Sequence, residues 1–331
     1  MRKAWPILLR LAALAGVAAL AGALSFGYLG WFHPAFDSFS HFRLHLAALL
    51  LVAVLPLAVL RYWPEAVFAM VLAIGAIGST VDFAEDDAAI AGIDMRSTPV
   101  FRLFHLNLRF DNDRPDLVLS AIGAHRPDVI TFTEASIEWR EWLEVLEGAY
   151  PYQVICPPPS RIGGVAILSR RPFLSESAEA CSDRGSFARV DIDFAGRPAS
   201  VIAMHLGWPW PFGQQSHFER IAHDLSVLSD RTILAGDFNA VPWSQTVRQI
   251  ADMGSFQVLR GIGPTWLHRS LPDAWLPWVG LPIDQVMVKD GIRVEGARTL
   301  DAVGSDHLPI LVEFSVEASP QSQSVEFALR N

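Results

Sequence analysis

Two hydrophobic rhythms divide the chain. Up to residue 81 the apolar positions come in long unbroken runs, and beyond residue 100 they come in short ones. Residues 7–29 carry no charge after Arg10, 44–60 form a second run and 66–81 a shorter third. A helix needs about 20 apolar residues to cross a bilayer core of about 30 Å, so these runs predict three transmembrane helices. Pro56 inside the second is tolerated in a membrane bundle. Beyond them, short β-rich runs predict strands at 100–107, 127–134, 152–156, 164–169, 188–194, 200–204, 232–235, 283–288, 293–300 and 310–314. Helical spacing at 116–124, 139–146 and 218–228 interrupts them, and Gly196-Arg197-Pro198 marks a hairpin turn. The predicted organisation is a membrane anchor over 1–84, a linker over 85–99, a catalytic domain over 100–316 and a flexible polar tail over 317–331.

Composition agrees with an anchored protein: 51% of the 331 residues are hydrophobic and 18% are charged. Arg2, Lys3 and Arg10 precede the first run and Arg61 lies between the second and third, so both places read as cytoplasmic. Trp31, Phe32, Tyr62 and Trp63 fall where interfacial aromatic residues belong. Three crossings then export everything after Val81. Were Ala21-Gly22-Ala23 a signal-peptide cleavage site, the remaining hairpin would export the same domain. The net charge of −9 excludes a general attraction to nucleic-acid phosphates, although Arg161, Arg170 and Arg171 leave room for a local basic groove. Cys156 and Cys181 both fall in the exported part, where they form either a disulfide or two buried thiols.

The chemistry collects where predicted strands stop: at Asn107, Glu134, His205, Asp237, Asp284 and Asp306. Polar groups at strand ends are how a layered α/β domain builds a pocket. In Gly236-Asp237-Phe238-Asn239 the strand is expected to end at Gly236, with Gly236 giving a tight turn. On extended backbone Asp237 and Asn239 would then face one pocket and Phe238 the core. Taken alone, such a pair reads as a strand-end cap, and each histidine as a structural residue. Together, with Gly304-Ser305-Asp306-His307 as a second polar corner, they read as a site. Glu134 and Asp306 offer the hard oxygen ligands that Mg²⁺ or Mn²⁺ prefers. Asp237 is placed to activate a water, Asn239 to position it and His307 to donate to a phosphate. Asp284 would hold the His307 tautomer, and His205 is a second donor.

Asn107, Thr133-Glu134, His205-Leu206, Gly236-Asp237-Phe238-Asn239, Ile283-Asp284 and Gly304-Ser305-Asp306-His307-Leu308-Pro309, in this order, resemble the endonuclease/exonuclease/phosphatase (DNase I-like) superfamily over residues 100–316. The resemblance implies an α+β four-layer sandwich, two mixed β-sheets flanked by helices, and metal-dependent phosphoester hydrolysis. It carries metal binding onto Glu134 and Asp306, with Asn107 close by, and repeats the roles given above to Asp237, Asn239, Asp284 and His307. His205 matches the histidine of the DNase and sphingomyelinase branches. One departure is Leu108-Arg109-Phe110 after Asn107, where some repair nucleases carry an Asp two places on. An anchor ahead of this domain resembles exported bacterial members, which implies a bacterial inner membrane with the domain on the periplasmic side.

Trp208-Pro209-Trp210-Pro211-Phe212 and the stretch from Trp275 to Trp278 suit a phosphodiesterase working on lipid head groups at a bilayer. The same rings would stack bases in an exported nuclease. As a packing feature they would fill space beneath proline-rich loops. A third reading makes the domain a non-catalytic binding module that keeps the fold without turnover, against which stand Glu134, Asp237 and His307, all present. The expected partners are the lipid bilayer and a phosphoester substrate, with no obligate protein partner.

Overall fold

The computed structural model describes residues 5–81, 83, 99–157, 160–174 and 180–317. Apart from Pro99 and Glu317, the expected linker and tail lie outside them. Four helices come first: α1 (Trp5–Phe26), α2 (Pro34–Ser40), α3 (Arg43–Val59) and α4 (Trp63–Val81). Ala47, Ala66, Ala69, Ala73 and Ala76 are buried between them together with Leu24, Leu50 and Leu57, while Leu49, Val52, Leu55, Phe68, Val71 and Ile74 face outward. The alanines let the helices approach closely, as small residues do between helices in lipid. α1 and α4 are long and apolar enough to span a membrane. α3 joins them only together with α2, from which it bends by 66°. At 17 residues, α3 alone is only about 25 Å long. The sequence pattern does not reveal α2. It starts at a His33 cap whose Nδ1 accepts the Ala35 N–H, followed by Pro34, whose fixed φ suits a first helical position.

The remaining chain forms two mixed sheets. In the first, β1 (Phe101–Asn107), β2 (Val129–Ala135), β3 (Tyr152–Ile155), β4 (Gly164–Ser169), β11 (Ile292–Thr299) and β12 (Ile310–Val316) run in the order β11-β12-β1-β2-β4-β3. In the second, β5 (Cys181–Ser182), β6 (Phe187–Asp193), β7 (Pro198–His205), β8 (Thr232–Asp237), β9 (Gln257–Val258) and β10 (Asp284–Val288) run β5-β6-β7-β8-β10-β9. Helices α5 (Pro115–His125) and α6 (Ile137–Glu144) cover the first sheet through Val118, Ile122, Trp139 and Leu143. Helices α7 (Gln214–Ser226) and α8 (Gln245–Gly254) cover the second through Phe218, Ile221, Val247 and Ile250. A short α9 (Leu276–Val279) follows. Between the sheets lies a third apolar layer that includes Phe101, Leu103, Val201, Ile233, Val286, Val312 and Phe314. The result is the four-layer sandwich.

Each sheet has one parallel pair, β1 with β2 and β7 with β8, flanked by antiparallel strands. Parallel neighbours end together, and an antiparallel neighbour begins where they end. Asn107, Glu134, His205 and Asp237 therefore share one end of the sandwich with Asp284, which opens β10 opposite Asp237, and with the segment leading into β12. Side chains alternate along a strand. Residues two apart from Leu103, Ala203, Ala235 and Val286, all in the inter-sheet core, are His105, His205, Asp237 and Asp284. The site is thus the polar end of the apolar layer.

Cys156 and Cys181 form a disulfide across a separation of 25 residues, joining the chain after β3 to the start of β5 and so one sheet to the other. Closing such a loop is worth about 3–4 kcal/mol on the chain-entropy estimate.

Candidate active site

β8 continues to Asp237, one residue beyond the expected end, because Gly236 is not a turn residue. A Cβ there would sit 2.0 Å from the Met204 carbonyl oxygen, so only glycine lets β7 and β8 approach this closely. The turn comes at Asn239, with φ at 47°. Asn239 consequently does not extend the strand face: its N–H donates to Asp237 Oδ1 (2.8 Å) and its Nδ2 to the Leu206 carbonyl (2.9 Å). Phe238 packs in the core under α7 and α8, as its place in the alternation predicts.

Glu134 also holds a left-handed backbone, φ 56°, at an irregularity in the pairing of β2 with β4. Such a conformation is costly for a residue other than glycine and is often kept where it aims a functional side chain. Glu134 Oε2 accepts the Phe110 N–H (2.9 Å). The Asn107 amide nitrogen donates to both Glu134 Oε1 (3.1 Å) and Asp237 Oδ2 (2.9 Å), joining a carboxylate of one sheet to one of the other. Arg109 occupies the place where an Asp is missing, with φ 55°, and its N–H donates to Asn107 Oδ1 (2.9 Å). That bond fixes the amide so that its nitrogen faces the two carboxylates.

On the other side of Asp237, His307 Nδ1 lies 2.7 Å from Asp284 Oδ2 and its Nε2 lies 3.8 Å from Asp237 Oδ2. His205 Nε2 is 3.6 Å from the same Asp237 oxygen. Burial disfavours a charged His307, but the charges of Asp284 and Asp237 outweigh it and push the imidazole up to about 10. Burial would raise Asp284 too, yet His307, joined by His105, holds it below the usual carboxylate range. Asp237 goes the other way: burial, with Asp284's charge, raises it against the pull of His307 and His205.

Ser305 Oγ donates to the Asn107 carbonyl (2.7 Å) and accepts the His307 N–H (3.1 Å), which ties the Gly304–His307 corner to β1. Asp306 Oδ2 accepts from Trp266 Nε1 at 3.3 Å. The sequence reading passes over Trp266, which lies in a loop with no motif. It also passes over His105. This buried imidazole has Nδ1 3.0 Å from Thr131 Oγ1 and Nε2 3.5 Å from Asp284 Oδ1, so Asp284 lies between two histidines. A histidine two places before Asn107 on an inward-facing strand is the signal that would have found it.

Asp237, Asp284 and His307 offer ligand atoms within 4.8 Å of one another. A proton already joins His307 to Asp284, however, so this trio suits proton handling better than ion binding. Glu134 and Asp306 present carboxylate oxygens, which fits a hard divalent cation, while Asn107 beside them turns its amide nitrogen to Glu134 and its oxygen to the Arg109 N–H.

The sequence profile described as the Endonuclease/Exonuclease/phosphatase family matches residues 104–307, from within β1 to His307. The chain belongs to this family. Among curated proteins no sequence matches it. Solved structures share the fold at low identity. TDP2 from D. rerio, complexed with a single-strand DNA product, is 16% identical with a TM-score of 0.52, over 66% of this chain and 99% of that one. The human Nocturnin catalytic domain with bound sulfate is 17% identical with a TM-score of 0.51, over 66% and 96%. A mutant beta toxin from Staphylococcus aureus with bound magnesium ions is 15% identical with a TM-score of 0.51, over 66% and 100%. All these alignments leave a third of the chain unmatched.

Proposed function

We propose that the protein is a membrane-anchored, divalent-metal-dependent phosphodiesterase whose site opens on the extracytoplasmic face of a bacterial cell membrane. The observation that carries this reading is the double hydrogen bond of Asn107 to Glu134 and Asp237, with the His307–Asp284 pair opposite. Oxygen ligands, a carboxylate with raised proton affinity and a cationic imidazole thereby face one space.

Glu134 and Asp306, with Asn107 beside them, would hold Mg²⁺ or Mn²⁺. Bound there, the cation would offset charge on a phosphoryl oxygen and on the leaving oxygen. Asp237 takes a proton from a water as the water oxygen bonds to phosphorus and the ester P–O bond breaks. Asn239, by donating its N–H to Asp237 Oδ1, fixes the orientation of the carboxylate, whose Oδ2 accepts from Asn107. His307, charged and held at Nδ1 by Asp284, presents Nε2–H to the phosphate, and His205 presents a second N–H. The displaced oxygen leaves with a proton from the imidazole or from solvent. The magnesium-bound beta toxin, of like fold, supports the choice of cation.

The orientation is supported by the disulfide, which persists in oxidising compartments, and by Arg61 in the α3–α4 turn. The rival reading, an exported nuclease, has the DNA-bound TDP2 structure and the exposed Trp208 and Trp210 in its favour and the net charge of −9 against it. The test is a substrate panel with the full chain in detergent micelles: phospholipid vesicles, labelled oligonucleotides and small phosphodiesters, each with Mg²⁺, Mn²⁺ or EDTA. Metal-dependent release of a head group or alcohol supports the proposal. Shortening of oligonucleotides alone supports the rival.

A further inference from the structure

The anchor does more than tether the domain, because the segment between α1 and α3 is built into the rim of the site. Asp37 of α2 accepts the N–H groups of Gln245 (2.7 Å) and Thr246 (3.0 Å) at the start of α8. Trp243 Nε1 donates to the Ser40 carbonyl (2.8 Å), and His41 Nε2 lies 3.1 Å from the carbonyl oxygen of Asn239. Both aromatic loops of the domain are held by the same region. Ser38 Oγ donates to the Trp210 carbonyl (3.2 Å), and His45 Nε2 lies 3.1 Å from that of Val279, next to Trp278.

Between these contacts lies an apolar cleft of about 210 Å³. One wall is Phe42, at the start of α3. The other is Trp208, Trp210 and Phe212, and the floor reaches Asn239 and Trp266. The inner end is therefore polar, since Asn239 bonds to Asp237 and Trp266 to Asp306. The outer end is apolar and open: Phe42, Trp208, Trp210 and Phe212 are each at least half exposed. Phe42 also leads into the outward-facing Leu49, Val52 and Leu55 of α3. Rings exposed beside a spanning helix belong in the boundary between head groups and acyl chains.

We infer that this cleft takes the alkyl tail of an amphipathic phosphoester drawn from the membrane, so that the anchor supplies one wall of the substrate site. This rests on the phosphodiesterase reading for the phosphate end and on the cleft itself for the tail. Each methylene buried in it would strengthen binding about fourfold.

The test uses the full chain in dodecylmaltoside micelles with Mg²⁺ and two soluble probes, methyl and dodecyl p-nitrophenyl phosphate, plus a dodecyl phosphate bearing a diazirine at its tail. Expected are a kcat/KM at least tenfold higher for the dodecyl ester and a tenfold drop in that dodecyl-to-methyl ratio in Phe42→Ser. The ratio should stay unchanged in Val59→Ser at the far end of α3. Photolabelling should fall on residues 38–42 and 208–212. Equal rates on the two esters, with label spread along the outward faces of α1, α3 and α4, would overturn the inference and leave the hydrolase reading standing. Cleavage of neither ester, with label in the cleft, would sink the hydrolase reading and keep the tail site. Failure of both readouts removes both.

Discussion

Nδ1 of His307 lies 2.7 Å from the carboxylate of Asp284, and its Nε2 lies 3.8 Å from that of Asp237. The two carboxylates give the imidazole its proton affinity of about 10, although burial opposes it. Asp284→Asn keeps the shape and removes one charge. His307 should then lose its proton at a lower pH, toward the usual imidazole value of about 6.5. Activity carried by a cationic His307 is retained below its pKa and lost above it, so the alkaline limb of the pH–rate profile should move from about 10 toward neutrality. At neutral pH kcat should fall by roughly 10²–10⁴-fold. An unmoved alkaline limb would show that His307 is not the titrating donor.

Asp37 joins the N-terminal helices to the domain through the first turn of α8, where its buried carboxylate accepts two backbone N–H groups and the Thr246 hydroxyl. Asp37→Ala leaves those donors unsatisfied and should cost about 2 kcal/mol. Faster hydrogen exchange at the Gln245 and Thr246 amides, with a lowered denaturation midpoint, is the expected outcome. Unchanged exchange would mean that α8 does not depend on the N-terminal helices.

His217 of α7 accepts the Gly207 N–H at Nδ1 (3.1 Å) and faces Asp183 with Nε2 (2.7 Å), holding the chain just before the Trp208 loop. Burial outweighs Asp183 and, with Arg220 nearby, pushes this imidazole down to about 4. The acceptor role of Nδ1 agrees, since a protonated ring would turn an N–H toward an N–H. Because the unfolded chain binds the proton more readily, the native state is favoured fully above about pH 6.5. That advantage, at most about 3 kcal/mol, is lost as pH falls toward 4. The stability difference between wild type and His217→Gln should shrink across this window. A difference independent of pH would contradict the assignment.

Gly236→Ala should disrupt the domain, since the new Cβ would meet the Met204 backbone at 2.0 Å inside the β7–β8 pair. A loss of about 3 kcal/mol or outright failure to fold is expected. A variant with wild-type stability would show that the two strands can separate freely.

Most strands were legible because alternation and strand-end polar residues carry a strong local signal. Asp237, Asp284 and the segment before β12 could be tied to one sandwich end only through the order of the strands, and the motifs gave that order by resemblance. Local reasoning failed where tertiary contact decides. Gly236 looks like a turn and is a close approach. Asn239 looks extended and is left-handed, because its side chain finds the Leu206 carbonyl. The pattern also passes over α8, whose Ser244 cap and amphipathic face lie in a stretch of mixed polarity. His105 and Asp37 escape the pattern for a common reason: the partners that give each its place, Thr131 and Asp284 for one and Gln245 and Thr246 for the other, are far away in sequence.

The most direct measurement is metal-dependent turnover of methyl p-nitrophenyl phosphate by the full chain in micelles, wild type beside Asp237→Asn. The account predicts turnover with Mg²⁺ or Mn²⁺, its loss in EDTA and its recovery when metal returns. It predicts near-abolition in Asp237→Asn with the thermal unfolding midpoint little changed. Turnover that survives EDTA, or a folded Asp237→Asn protein working at close to the wild-type rate, would contradict it.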